Sequence, residues 1–226
     1  MTGLLAGVMI VTLASAAGAA TPTGRQAAEA AVGVTGITAG VATDRGGPGS
    51  ARGIPGTAML QPEDLGGAVT SPVDADRWNA LRPPRPCAET NRYGGLPPRR
   101  DRAISAMVAV GESPTVVVEW VGSFRANGAQ RYLRAAVTNC DDTDQGGGRW
   151  TVLSTGTAGA ESLLLRLTET FQYAGETMTR NTYLVVVRTG RTVVMVADVG
   201  WEISDGQRSL VERLVTPAIQ RARTLR

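Results

Sequence analysis

Residues 183–201 read YLVVVRTGRTVVMVADVGW. Val185, Val186 and Val187 lead into Arg188, Thr189, Gly190 and Arg191, and Val193, Val194, Met195 and Val196 lead out again. β-Branched side chains suit a pleated surface and glycine permits a reversal, so the pattern predicts a β-hairpin. Successive strand residues face opposite ways, so an unbroken apolar run means that both faces are covered. The hairpin therefore belongs inside a sheet and not at its edge.

The segment before it reads as a meander. Leu163, Leu165, Leu167 and Phe171 alternate with Arg166, Thr168 and Thr170. With Ala174 and Gly175 as the loop, Glu169 faces Arg180, Phe171 faces Met178 and Leu165 faces Leu184. One opposite-charge pair and two apolar pairs share a single register, so the pairing is self-consistent. Trp201 is expected to end the last strand. Asp205 stands where it can cap a closing helix carrying Leu210, Leu214 and Ala218 in one stripe, broadened by Val211, Val215 and Ala222. Pro217 should bend that helix or interrupt one of its hydrogen bonds.

Further upstream, Ala103–Val110 and Thr115–Phe124 are strand-like around the turn residues Gly111, Glu112, Ser113 and Pro114. Val117, Glu119 and Val121 share one face; Val116, Val118, Trp120 and Gly122 share the other. Asn127 can cap a helix in which Ala129, Tyr132, Leu133, Ala136 and Val137 recur at helical spacing. Trp150–Ser154 is a short strand. Met59–Gly67 predicts a short helix with Pro62 in its first turn, Glu63 and Asp64 at its positive end and glycines to stop it. The expected fold is α+β: an antiparallel β-sheet with helices packed on one face and one disulfide.

With 226 residues, the chain holds one domain of ordinary size and a tail. Residues 1–20 combine an apolar run, Leu4 to Leu13, with small residues that fit a cleavage site after Ala19 or Ala20. They read as a signal peptide or, alternatively, a short membrane anchor. Membrane attachment is expected only through this segment. Residues 21–56 are rich in Ala, Gly, Thr and Pro without apolar periodicity and read as a flexible spacer. The folded domain is expected over 57–226.

Composition excludes much chemistry. There is no His, so the chain cannot supply a Ser-His-Asp triad or a His-ligated metal. All 23 basic residues are Arg, which removes Schiff-base lysines, Ser-Lys pairs and the P-loop lysine. No cofactor and no metal site is expected. Arg82, Arg85, Arg92, Arg99, Arg100 and Arg102 lie among prolines with only Tyr93 to stack, a poor nucleic-acid stripe, so no nucleic-acid partner is expected. The partner expected instead is a small molecule or an envelope component.

Several residues compete between a structural and a functional role. Cys87 and Cys140 are the only cysteines. In an exported chain one disulfide is the simplest account, two free thiols the other. A closed loop of about 50 residues stabilises by roughly 3 to 4 kcal/mol in the chain-entropy model. Asp141, Asp142 and Asp144 suggest a calcium loop, but position twelve counted from Asp142 is Leu153 and not the required Glu, which leaves a solvated turn. Glu119, beside Trp120, is a candidate general acid if buried, and Asp198 or Glu169 would be its second carboxylate. Otherwise it is an outward strand residue or an arginine partner. Arg166, Thr168, Asn181 and Asp198 fall on the less apolar face of the meander and are, with Glu119, candidate ligand-binding residues.

MLQPEDLGG (Met59–Gly67), Pro86-Cys87, the segment Val116–Cys140 and the ribbon YLVVVRTGRTVVMVAD followed by a helix together resemble one family. It comprises the extracellular sensor domains of actinobacterial serine/threonine kinases of the PknH type and of secreted proteins sharing that domain. The resemblance implies a sheet flanked by helices around a central cleft for an unidentified ligand. That family typically carries two disulfides, and this chain has cysteines for one. It has no HRD or DFG kinase motif. The expected function is a non-catalytic binding or sensing domain, exported to the cell envelope. A carboxylate-based envelope glycan hydrolase and a purely structural envelope protein are the alternatives.

Overall fold

The structure is a computed structural model that describes residues 53–73, 78, 81–84, 87, 97–145, 148–159 and 161–225. The expected signal peptide or anchor and nearly all of the expected spacer lie outside the described residues. Ile54 is buried in the core, so packing reaches back into the last residues of the expected spacer.

Eight strands form one sheet: β1 (Ser71–Val73), β2 (Arg100–Val110), β3 (Ser113–Ser123), β4 (Thr143–Gln145), β5 (Gly148–Thr155), β6 (Ser162–Tyr173), β7 (Glu176–Thr189) and β8 (Thr192–Asp198). Their order is β1-β2-β3-β8-β7-β6-β5-β4 and neighbours run antiparallel. The hairpin of 183–201 supplies β7 and β8 near the middle, as its two apolar faces require. Both edges are strands of three residues, and β1 carries Pro72, so neither offers a long free ladder.

The register of the meander is the expected one: Glu169 pairs with Arg180, Phe171 with Met178 and Leu165 with Leu184. Ala174 and Gly175 both have positive φ, 51° and 85°, as a two-residue type I′ turn demands. Arg180 donates to Glu169 at 3.2 Å. The strand of Tyr183–Trp201 stops earlier than expected, at Asp198. Trp201 lies beyond it in an isolated bridge to Ser204, because Gly200 with φ 72° turns the chain away.

The helices differ from expectation in placement. α1 (Gly128–Asn139) packs on one face of the sheet, where Tyr132, Leu133 and Ala136 meet Trp120, Leu184, Val186 and Met195. α2 (Arg208–Ala222) packs on the other, where Leu210, Leu214 and Ala218 meet Val185, Val194 and Val196. The α+β class and the antiparallel sheet hold, but the helices cover two faces and not one. Leu184, Val185, Val186 and Val187 are all buried and alternate between the two cores, so a single helical layer would leave half of them wet.

Capping also differs. Asn127 makes no side-chain cap on α1. Gln207, not Asp205, is the N-cap position of α2, again without a side-chain cap; Asp205 is taken by Asn181 instead. Val137 is 42% exposed and lies outside the buried stripe of α1. Pro217 sits within α2, which continues through it. The segment after Met59 is a 3-10 turn, Pro62–Leu65, with reciprocal capping between Gln61 and Asp64 and Gly66 left-handed at its end.

Cys87 and Cys140 form a disulfide, with Cα atoms 4.8 Å apart. Both are buried in the α1-side core, so the bridge ties the connection between β1 and β2 to the end of α1.

Candidate functional site

Strand alternation decides which candidates meet. Glu119 lies between Val117 and Val121, Asp198 two places beyond Val196, and Arg166 two places beyond Leu164, all residues of the α2-side core. Thr168 and Asn181 pair across β6 and β7 on the same side. The structure thus brings all five candidates, Glu119, Arg166, Thr168, Asn181 and Asp198, onto the face covered by α2. Glu169 points to the opposite face, so the sheet separates it from Glu119.

Asp198 is completely buried. Its carboxylate accepts from Thr115 Oγ1, from the Gly200 N–H at 3.0 Å and from the Gln207 N–H at 2.7 Å. These bonds hold the reversal 199–207 against the sheet. A Cβ at Gly206 would run into the Asp198 backbone, so the close approach of this loop requires glycine. Asn181 completes the clamp: its Oδ1 accepts from Thr168 Oγ1 at 2.8 Å, and its Nδ2 and backbone N–H donate to Asp205 at 3.0 and 2.7 Å. Arg166 is half-buried opposite Tyr183 and Thr151.

Glu119 is 1% exposed. Its Oε2 accepts from the Leu60 N–H at 2.7 Å, fixing the N-terminal segment to the sheet, while Oε1 has no partner among the described residues. Burial pushes its carboxyl up to about 8 against the Leu60 bond that lowers it; Asp64 adds to the rise and Arg221 opposes it. A raised value is what a buried acid beside an indole would show, but the cause is different. Trp120 points to the other face, stacked 5.8 Å from Tyr132, with its indole N–H donating to Asp101 at 3.0 Å. The covering layer of 54–65 and α2 desolvates Glu119. Buried in this way, the carboxyl fastens the N-terminal segment to β3.

A concave surface open to solvent lies at the opposite end of the sheet from Asp198. There β2 begins, β3 ends, the β7–β8 turn projects and α2 terminates. The groove encloses about 470 Å³ and is lined by Arg99, Arg100, Arg191 and Arg223 together with Ser123, Thr189 and Thr192 hydroxyls. A second groove of about 540 Å³ shares Arg99 and Phe124 with the first and adds Arg125 and Arg131 at the start of α1. Neither groove has an acidic residue in its lining. Sequence reasoning missed this site. Arg99 and Arg100 stood in a proline-rich run, and only the pairings Arg100 with Ser123 and Ser123 with Thr192 bring them beside Arg125 and Arg191. The one available signal was that each of these arginines flanks a strand or helix end.

No family model matches the chain, and no curated protein matches it. Among solved structures, the crystal structure of the extracellular domain of PknH from Mycobacterium tuberculosis is similar at a TM-score of 0.43. It shares 14% identity over 72% of this chain and 93% of that one. A likeness of that degree fixes no function, and the reading that follows stands on the residues of this chain. No helix among the described residues is long and apolar enough to cross a membrane.

Proposed function

We propose that the chain is an exported, non-catalytic binding or sensing module of the cell envelope. The observation that carries this reading is the burial of Glu119 and Asp198. Without His or Lys, carboxylates and tyrosines are the side chains left for acid–base work, and these two nominated carboxylates are buried beneath α2 and accept from backbone N–H groups. Export is supported by the Cys87–Cys140 bridge, since such bonds persist in oxidising compartments, and by the signal-like residues 1–20. Binding is supported by the open grooves at the Arg191 end of the sheet.

Native mass spectrometry of the protein recovered from its own host tests the reading. The expected species is trimmed near Ala19 or Ala20, lacks the hydrogens a disulfide gives up, and retains a small-molecule adduct. A full-length, reduced and bare species would overturn it. Glycan cleavage by wild type that disappears in a folded Glu119→Gln variant would replace it with the hydrolase.

A further inference from the structure

We propose that the arginine-lined groove binds a ligand bearing more than one phosphate group. The proposal names a ligand class for the binding module above and rests on that reading.

The charge is unevenly spent. Six arginines elsewhere have acidic partners: Arg82 with Asp101, Arg149 with Asp142, Arg180 with Glu169, Arg188 with Glu161, Arg208 with Glu212, and Arg221 with Glu63 and Asp64. Arg99, Arg125, Arg131, Arg191 and Arg223 line the two neighbouring grooves, are exposed, and enter no ion pair among the described residues. A chain with a formal charge of only +3 has thus gathered unneutralised guanidinium groups in two adjacent concavities. Like charges held together repel, and a concave wall concentrates their field on whatever enters. An anion relieves that repulsion.

The donor set selects among anions. Guanidinium forks match the oxygens of phosphate two at a time. Ser123, Thr189 and Thr192 in the lining of the first groove carry hydroxyl groups, which can donate to phosphate oxygens. The second groove ends on the N-terminus of α1, a helix of 12 residues with no acidic residue in its first turn and no side-chain cap from Asn127. The positive end of its dipole adds to Arg125 and Arg131 and favours phosphate. Two adjacent grooves with Arg99 and Phe124 in both linings suit a ligand whose charges are spread along it. A single carboxylate would leave most of these donors unused. Phosphate groups of this kind are carried by soluble polyanions and by lipid headgroups, and the chemistry of recognition is common to both.

The test uses the oxidised protein as its host exports it. Isothermal titration with inorganic tripolyphosphate supplies the soluble arm. Flotation with cardiolipin vesicles, whose headgroup carries two phosphates, against phosphatidylcholine vesicles, supplies the lipid arm. Binding in at least one arm is expected, weakening as salt screens the exposed charges. The double variant Arg99→Gln/Arg191→Gln should lose about tenfold or more in affinity, since each charge-assisted bond to phosphate is strong. Arg134→Gln/Arg213→Gln, with the same charge change outside the groove, should bind as wild type does. Tripolyphosphate binding alone assigns a soluble ligand, and vesicle binding alone assigns a headgroup. Absence of both, equal loss in the two double variants, or preference for single-stranded DNA over both probes overturns the proposal. Those failures leave the exported-module reading standing, because that reading falls only on the mass of the host-derived species or on glycan cleavage.

Discussion

The carboxylates under α2 and the arginines at the far end of the sheet are opposites in environment. Glu119 and Asp198 are buried and each holds a distant piece of backbone: Leu60 in one case, Gly200 and Gln207 in the other. Arg99, Arg125, Arg131, Arg191 and Arg223 are exposed and enter no ion pair among the described residues. A charge taken out of water must be paired, hydrogen-bonded or neutralised, so the buried set reports on stability. A charge left in water is under no such obligation, so a cluster of them reports on something outside the chain.

The sharpest way to break this contrast is through Glu119. In the folded chain its carboxyl keeps its proton up to about pH 8, whereas the ordinary value of 4.5 applies once the chain unfolds. Between those values the folded state binds the extra proton. The stability it contributes is complete below about pH 4.5 and is lost as pH rises to 8, by on the order of 5 kcal/mol. Denaturant melts of wild type and Glu119→Gln across that window should show a falling midpoint for wild type and a flatter one for the variant. Parallel curves would mean that the carboxyl is not desolvated.

Asp198→Ala comes next. It strands two backbone donors and the Thr115 hydroxyl in a dry site, an expected loss of about 4 kcal/mol in denaturant unfolding. Asp198→Asn, which keeps an acceptor oxygen, should lose less. A loss below about 1 kcal/mol for the alanine variant would show that water reaches the clamp.

Arg221 tests the middle ground. It is a partly exposed arginine that does have internal work, donating to Asp64 at 2.5 Å and Glu63 at 2.6 Å. Arg221→Gln should cost about 1 kcal/mol, the scale of a screened surface network, and less in high salt. At the small end, Arg191→Gln and Arg223→Gln should leave the thermal midpoint within the change expected of about 0.5 kcal/mol. A larger destabilisation would mean that these side chains are structural, and the contrast with the buried carboxylates would collapse.

Legibility in the sequence followed range. The β6–β7 register could be read because Ala174-Gly175 sets a two-residue loop and the Glu169–Arg180 pair lies close in the chain. The β7–β8 hairpin could be read for the same reason. The sharing of one sheet face by Arg166, Thr168, Asn181 and Asp198 followed from period-two alternation, whereas Glu119 joins them only through the pairing of β3 with β8. The caps could not be read: Asp205 stands before α2 but is claimed by Asn181, a residue 24 positions away. Nor could the cause of the raised Glu119 value, since neighbours in a strand point apart and the desolvating layer comes from residues 54–65 and α2.

Taken alone, the amino-acid sequence determined the strand-forming segments, the tight turns, the candidate cysteine pair and the residue types barred from catalysis. Each depends on a few adjacent residues or on composition. Tertiary structure alone decided that β3 pairs with β8, that α1 and α2 take opposite faces, that Glu119 is sealed and that scattered arginines share a groove. A strand edge offers the same N–H and C=O ladder to any neighbour, so the choice of partner rests on packing summed over the whole sheet. Burial and local charge then follow from that choice, and with them the division between carboxylates that hold the fold together and arginines left facing water.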